Sequence, residues 1–250
     1  NNALGQQVLL QRHKYRHRSD LKFILATYDY FVMFGPPNLE ELKYFVGDYK
    51  LNKTAFIPNS ILSVKSKVPP KEKRILWLSR LNYKQKRADL ILPFWKKVMH
   101  ELPDWHFDVV GDGEAFDDLK QQIEKEQLPR ITLHGKQKPD AYYKRSPIYI
   151  MTSAFEGFPN TLIEAQSFGA IPVVYDNYPI CSWAVKEGDS GVLIPPFKVD
   201  QMAEEVINLA KDEKRQEKLM QAALDNAKEF HIDNVGKQWI EFFNRELYFK

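Results

Sequence analysis

The sequence predicts an α/β fold: a parallel sheet with helices on both faces. Three observations predict it. From residue 75 onward, short apolar runs of strand length alternate with stripes of helical period. Those short runs are apolar at successive positions, as strands buried on both faces require. The polar, glycine-bearing stretches follow the runs, and ligands in such sheets bind at the carboxyl ends of strands.

The elements follow in order. Ile75 to Leu78 is the first buried strand of the main unit. Leu90, Phe94, Val98 and Leu102 then recur every four residues and mark one stripe of a helix. Phe107 to Val110 is the next strand, ended by Gly111-Asp112-Gly113, and Phe116, Leu119 and Ile123 mark the next helix. Ile131 to Leu133, Ile148 to Met151, Ile171 to Tyr175 and Val192 to Ile194 read as further strands. A helix from Asn160 to Phe168 lies between two of them and stops at Gly169, a suitable C-cap. Helices from Val199 to Lys211 and Arg215 to Phe230 follow. Strict alternation implies right-handed crossovers and a parallel sheet.

Before residue 60 the pattern changes. Tyr30 to Phe34 and Thr54 to Ile57 look like strands, with a helix from Asn38 to Tyr49 between them. Pro58-Asn59 and Pro69-Pro70 break the chain. Residues 1–58 therefore read as the tail of a preceding domain, residues 59–235 as one α/β domain, and 236–250 as a separate final helix carrying Trp239, Phe242, Phe243 and Tyr248.

Composition sets bounds on function. Apolar residues make up 44% of the 250 and charged residues 28%, values of an ordinary globular chain. A net charge of +3 does not argue for nucleic acid. The single cysteine, Cys181, permits no intrachain disulfide and fits a reducing compartment. No run reaches the ~18 apolar residues of a membrane span, and no signal peptide is visible at Asn1 to Leu10. The chain has no initiator Met and opens in mid-pattern. Arg12 to Arg18 is a basic run that reads first as a solvated helix face and second as a contact for an anionic surface. His13 and His17 lack a third ligand for a metal.

Several chemistries drop out. Phe116 stands where a dinucleotide fingerprint would need its third glycine after Gly111 and Gly113. There is no phosphate loop of the ATPase type, no G-x-S-x-G elbow and no zinc cluster. No two aspartates sit two apart, so the D-x-D arrangement that holds a metal-bound diphosphate is missing.

The informative stretch runs from Ser153 to Ala165, SAFEGFPNTLIEA, between a strand and a helix. Gly157 lets backbone approach a ligand closely. Pro159 suits a helix entry, and Asn160 and Thr161 are natural N-caps. Free amides at that helix start make an anion site. Glu156 and Glu164 flank it, and carboxylates accept hydrogen bonds well from vicinal diols. A ligand-free alternative exists: Thr161-Leu162-Ile163-Glu164 fits a capping box, and Glu156 alone could be an exposed loop acid. Arg80 and Lys86 follow the strand Ile75 to Leu78 and so emerge on the same carboxyl edge. Each alone reads as a solvated cation; together with the helix start they suit a diphosphate.

These residues resemble those of the retaining glycosyltransferase family 4 (group 1). That family carries two glutamates separated by seven residues, here Glu156 and Glu164 in EGFPNTLIE. Its arginine-leucine pair looks like Arg80-Leu81, its following lysine like Lys86, its V-G-D-G element like Val110 to Gly113, and its junction Pro-Asn like Pro58-Asn59. The likeness covers residues 54 to 230, with Ser79 in place of the family's usual glycine.

The resemblance implies the Rossmann-like C-terminal half of a GT-B fold. Residues 1–58 would be the end of the acceptor domain, 59–235 the donor domain and 236–250 a crossover helix. Arg80 and Lys86 would hold the diphosphate, and Glu156 would orient the donor sugar. Glu164 would bind the ribose, aided by Gly157, Phe158 and the amides around Asn160 and Thr161. The loop Gly135-Lys136-Gln137 would lie near the nucleobase. The donor would be a UDP-, GDP- or ADP-sugar, with no cofactor and no metal. The acceptor would be a glycan or a lipid-linked glycan. Transfer would retain the anomeric configuration, in a cytoplasmic protein touching the inner face of the membrane peripherally. This chain alone would be inactive, since most of the acceptor domain is absent. Two other classes stay open: a different GT-B enzyme, such as a nucleotide-sugar epimerase, and a non-catalytic nucleotide-binding module.

Overall fold

The computed structural model describes residues 18–247, which form parts of two compact units, Asn1–Pro58 and Asn59–Lys250. Most of the basic run Arg12 to Arg18, both of its histidines, and Tyr248 lie outside the described residues.

In the first unit, residues 18–27 are helical (α1), followed by β1 (Phe31–Met33), α2 (Asn38–Val46) and β2 (Thr54–Phe56). The two strands pair in parallel, Phe31 opposite Thr54 and Met33 opposite Phe56. Leu25, Met33, Leu42 and Val46 form a small buried cluster. Helix α2 stops three residues short of the expected Tyr49. Gly47 turns the chain at φ 64, and its N–H closes back on the carbonyl of Lys43 at 2.8 Å. Glycine takes that left-handed conformation without a Cβ clash.

The second unit is built on a six-stranded parallel sheet. Its strands are β3 (Arg74–Leu78), β4 (His106–Val110), β5 (Ile131–Leu133), β6 (Ile148–Met151), β7 (Ile171–Tyr175) and β8 (Val192–Ile194). Their spatial order is β5-β4-β3-β6-β7-β8. The chain first winds outward one way from β3, then returns to β6 and winds the other way. The adjacent pair β3 and β6 is thus the topological switch, and sheets of this kind bind their ligands there, at the carboxyl ends of the strands.

Helices α3 (Ile91–Val98), α4 (Phe116–Lys125), α5 (Asp140–Arg145), α6 (Asn160–Ser167), α7 (Cys181–Ala184), α8 (Val199–Lys211), α9 (Glu213–Lys228) and α10 (Ile232–Leu247) complete the unit. The stripe Leu90, Phe94, Val98 and Leu102 is buried throughout. Phe94 and Trp95 lie against Phe107 of β4, with ring centroids 5.5 Å away in each case. Burying each such side chain contributes about 1.5–3 kcal/mol. Two short helices, α5 and α7, escaped the sequence reading because 6 and 4 residues are too few to establish a period. Helix α9 begins at Glu213 rather than Arg215, since the Asp212 carboxylate caps the Arg215 N–H at 2.9 Å.

The end of α6 fits the expectation. Gly169 has φ 69, its N–H reaches the carbonyl of Gln166 at 2.8 Å, and the Ala170 N–H reaches that of Ala165 at 3.0 Å. That is the double closure of a left-handed C-cap. Among the described residues, no helix is long and apolar enough to cross a membrane.

Candidate functional site at the switch of the sheet

The loop after β3 is seated on the turn after β4. The N–H of Ser79 bonds the carbonyl of Val110 (3.1 Å), that of Leu81 bonds Asp112 (2.9 Å), and that of Ala115 returns to Leu81 (3.1 Å). Only glycine allows this approach. A Cβ on Gly111 would stand 1.7 Å from the Ser79 carbonyl oxygen, and one on Gly113 would stand 2.4 Å from that of Leu81. The glycines that fail as a dinucleotide fingerprint are thus the seat of the Arg80 loop. Ser79, where the family has glycine, stays out of the left-handed region, so its backbone does not require glycine. Arg80 is exposed, and its guanidinium has no partner among the described residues.

Beyond Leu81 the loop folds on Asn82. Its side-chain oxygen accepts the N–H groups of Gln85 and Lys86, each at 2.9 Å. Lys86 is thereby brought to the loop after β6, where its ammonium lies 2.5 Å from Oε1 of Glu156. The two loops are also joined through backbone. The Thr152 hydroxyl donates to the Lys86 carbonyl at 2.7 Å and accepts from the Trp77 indole at 2.9 Å. The Ala154 N–H meets the Gln85 carbonyl at 2.6 Å.

Glu156 is held on both oxygens, since the Gln85 amide reaches Oε2 at 3.3 Å. Its side chain is 8% exposed, which sets aside the exposed-acid reading. From the other side, Asn177 after β7 donates to the carbonyls of Ser153 and Ala154, both at 3.0 Å. Gln85, Asn82 and Asn177 were missed from sequence. The one available signal was their position just past a strand's carboxyl end.

Helix α6 corrects the expectation about its start. The N-cap position is Pro159, with no side-chain cap. Asn160 and Thr161 are the first helical residues, and their side chains are used elsewhere: Asn160 accepts from the Asn59 amide at 3.2 Å, and Thr161 pairs with the Tyr149 hydroxyl at 2.9 Å. No capping box forms. Glu164 turns from the backbone, and its Oε2 accepts from the Tyr143 hydroxyl at 2.9 Å. Proline at the N-cap offers no side-chain oxygen, and two buried tyrosines compete for the first-turn side chains. The Thr161 N–H has no partner among the described residues.

The remaining expected residues divide. Gly157 is exposed beside Glu156. Phe158 is 8% exposed, and its ring packs 5.9 Å from that of Phe230, so its side chain belongs to the core. Gly135, with φ 65, accepts the Gly111 N–H at 2.9 Å and so lies on the same carboxyl edge, two strands from β3. Lys136 and Gln137 are exposed, and the Gln137 amide folds back to the His134 carbonyl at 3.0 Å. His134 is pinned by the buried Asp108 at 2.7 Å.

The chemistry of this edge is specific. Lys86 and Glu156 pair with each other, leaving among the described residues Arg80 as an open cation, one open carboxylate oxygen on Glu164 and an open amide at Thr161. An anion and a polyol fit that combination.

Such a parallel sheet flanked by helices is the Rossmann-like sheet of GT-B folds. The fold is similar to that of Staphylococcus aureus TarM, with a TM-score of 0.78 at 19% identity, covering 88% of this chain and 45% of that one. It is also similar to pneumococcal O-GlcNAc transferase GtfA, with a TM-score of 0.77 at 24% identity, covering 90% and 47%. The sequence model for glycosyl transferases group 1 matches residues 58–226, and the chain belongs to that family. Among curated relatives, the poly(glycerol-phosphate) alpha-glucosyltransferase of Bacillus subtilis is 28% identical over 72% of this chain and 27% of its own length. An amylovoran biosynthesis glycosyltransferase of Erwinia amylovora is 28% identical over 70% of this chain and 49% of its own. The chain thus spans half or less of these relatives' lengths.

Proposed function

We propose that this site binds a nucleoside-diphosphate sugar, and that the full-length protein passes the sugar to a glycan or lipid-linked acceptor with retention of configuration. The observation that carries the reading is the placement, past the carboxyl end of β6, of the Lys86–Glu156 pair and of Glu164 with one open oxygen. Relatives and neighbours support it. TarM was solved with UDP, GtfA with UDP and GlcNAc, and the Bacillus relative is an alpha-glucosyltransferase. UDP is therefore the first diphosphate to test. An alpha-linked product is what retention gives from an alpha-linked donor.

Each residue then has a role. Arg80, Lys86 and the open amide of Thr161 hold the diphosphate and stabilise its charge as the bond to the anomeric carbon breaks. A phosphate oxygen of the leaving diphosphate takes the proton of the acceptor hydroxyl, which forms the new bond on the same face. Glu156, already fixed by Lys86 and Gln85, orients the sugar hydroxyls. Glu164 takes the ribose, and Gly135-Lys136-Gln137 borders the base. No metal or cofactor is assigned a role. The test is titration of UDP, GDP and ADP into this chain by amide shifts, with product analysis on the full-length protein. Millimolar or tighter binding without transfer by the chain alone is expected, because the chain spans half or less of its relatives' lengths and transferases of two domains close over their donor. No binding of any diphosphate would overturn the reading, and an epimerised donor would replace transfer with epimerisation.

A further inference from the structure

The two glutamates of the site differ in one respect. Both oxygens of Glu156 are occupied by protein groups, whereas Glu164 has one oxygen bonded and the other open among the described residues. The group that makes this asymmetry is Tyr143. Its side chain is buried, 1% exposed, on α5. Its ring is wedged against Phe168, at 5.8 Å, and Tyr149, at 6.3 Å. Its main-chain carbonyl is held by the Lys71 ammonium at 3.0 Å. The hydroxyl therefore has one place to be, and there it donates to Glu164 Oε2 at 2.9 Å.

A carboxylate is planar, so fixing one oxygen limits rotation about its last bond and aims the other. A hydrogen bond from a neutral donor to a charged acceptor is strong enough to do this. Burial and the neighbouring Glu164 charge both hold the Tyr143 hydroxyl well above its ordinary pKa, so it stays a donor at any working pH. The same device acts one turn earlier on α6, where Tyr149 engages Thr161. Tyr149 and Tyr143, both buried, thus engage side chains on successive turns of the helix.

We infer that Tyr143 is a positioning residue for nucleotide binding: by holding Oε2 of Glu164 it presents Oε1 to a vicinal diol of the ligand. This rests on the proposed ribose role of Glu164. The sequence reading singled out Glu164 and left Tyr143 unassigned, since 21 residues separate them.

The test is a double-mutant cycle on this chain with UDP and 2′,3′-dideoxy-UDP, read by calorimetry. Tyr143→Phe keeps the ring in its pocket and removes only the hydroxyl. It is expected to weaken UDP about tenfold, the low end of a hydrogen bond to a charged group. It should leave dideoxy-UDP within about twofold, and add no further loss in a Glu164→Ala background, where no side-chain acceptor remains for the phenol. Equal weakening of both nucleotides, or additive losses, would overturn the inference and make Tyr143 a packing residue. Glu164→Asp gives a second route that leaves the buried ring untouched: it withdraws the carboxylate from the phenol and should show the same UDP-specific loss. Unchanged UDP affinity in Glu164→Asp also counts against the inference. If Glu164→Gln binds UDP as the wild type does, or the wild type does not bind UDP at all, the ribose role falls and takes the inference with it. If Glu164→Gln loses affinity and Tyr143→Phe does not, the inference alone falls.

Discussion

The ammonium of Lys86 and the carboxylate of Glu156 form an ion pair at 2.5 Å across the switch of the sheet, with only 16% and 8% of their side chains exposed. The pair joins two loops that are 70 residues apart in sequence. It means that the cation assigned to the diphosphate and the acid assigned to the sugar share one position before any ligand arrives. On the proposed function, a donor would add its phosphates to a Lys86 ammonium that the ion pair has already ordered.

Lys86→Ala in the full-length enzyme should lower kcat by roughly 10²-fold or more, the scale for removing a charge stabiliser from a transition state. It also leaves Glu156 nearly buried with only the Gln85 amide, so the melting temperature should drop as well. Steady-state kinetics alongside a thermal melt separate the two effects. A kcat within about threefold of wild type would remove Lys86 from the mechanism.

Glu164→Gln addresses the other flank. Because no capping box forms, the substitution removes no helix cap, and a glutamine oxygen can still accept from Tyr143. Stability should therefore change by less than about 0.5 kcal/mol. Nucleoside diphosphate binding should weaken by about 1–2 kcal/mol through loss of the charged acceptor. Calorimetry and a melting curve on the same sample decide it. Unchanged affinity would detach Glu164 from the ligand.

How much of this was legible in the sequence depends on range. Strands β5, β6, β7 and β8 stand on the residues expected, because an apolar run is a local signal. Helix α8 does too, from Val199 to Lys211. The end of α6 at Gly169 was also legible, since a left-handed C-cap needs glycine whatever surrounds it. The start of α6 was not. Asn160, Thr161 and Glu164 have the right types for a cap and a capping box, but Tyr149 and Tyr143 recruit their side chains from β6 and α5. That Arg80, Lys86 and Glu156 follow strands β3 and β6 on one carboxyl edge was readable too. The network that fixes Glu156, from Asn82 through Gln85 to Asn177, was not, since each is one polar loop residue whose partner depends on strand order.

Gly111→Ala tests whether the turn after β4 seats the Arg80 loop. The added methyl would stand 1.7 Å from the Ser79 carbonyl oxygen, at a φ of +141 that an alanine rarely adopts. Backbone on both sides must then move. A stability loss of about 3 kcal/mol is expected, as for a new clash combined with backbone strain. Urea unfolding measures it, and amide shifts should change first at Ser79 to Leu81. A loss below about 0.5 kcal/mol would show that the two loops are not locked together.

Lys71 makes stability depend on pH in a way that can be signed. Its ammonium donates to the carbonyls of Tyr143 (3.0 Å), Ser146 (3.1 Å) and Phe168 (2.9 Å), where α5 and α6 end. Those carbonyls favour the charged form, but burial opposes it and wins, pushing the pKa down to about 7. In the unfolded chain the value returns to about 10.4. Between about pH 7 and pH 10 the unfolded state therefore binds more protons at this site than the folded state. Stability contributed by Lys71 must rise with pH through that window, and the cost of burying its charge is fully present below it. Lys71→Met retains most of the volume and removes the titration. Urea unfolding of both proteins from pH 6.5 to pH 9 should show the wild type gaining on the variant as pH rises. Parallel profiles would mean that the three carbonyls outweigh desolvation and keep Lys71 charged throughout.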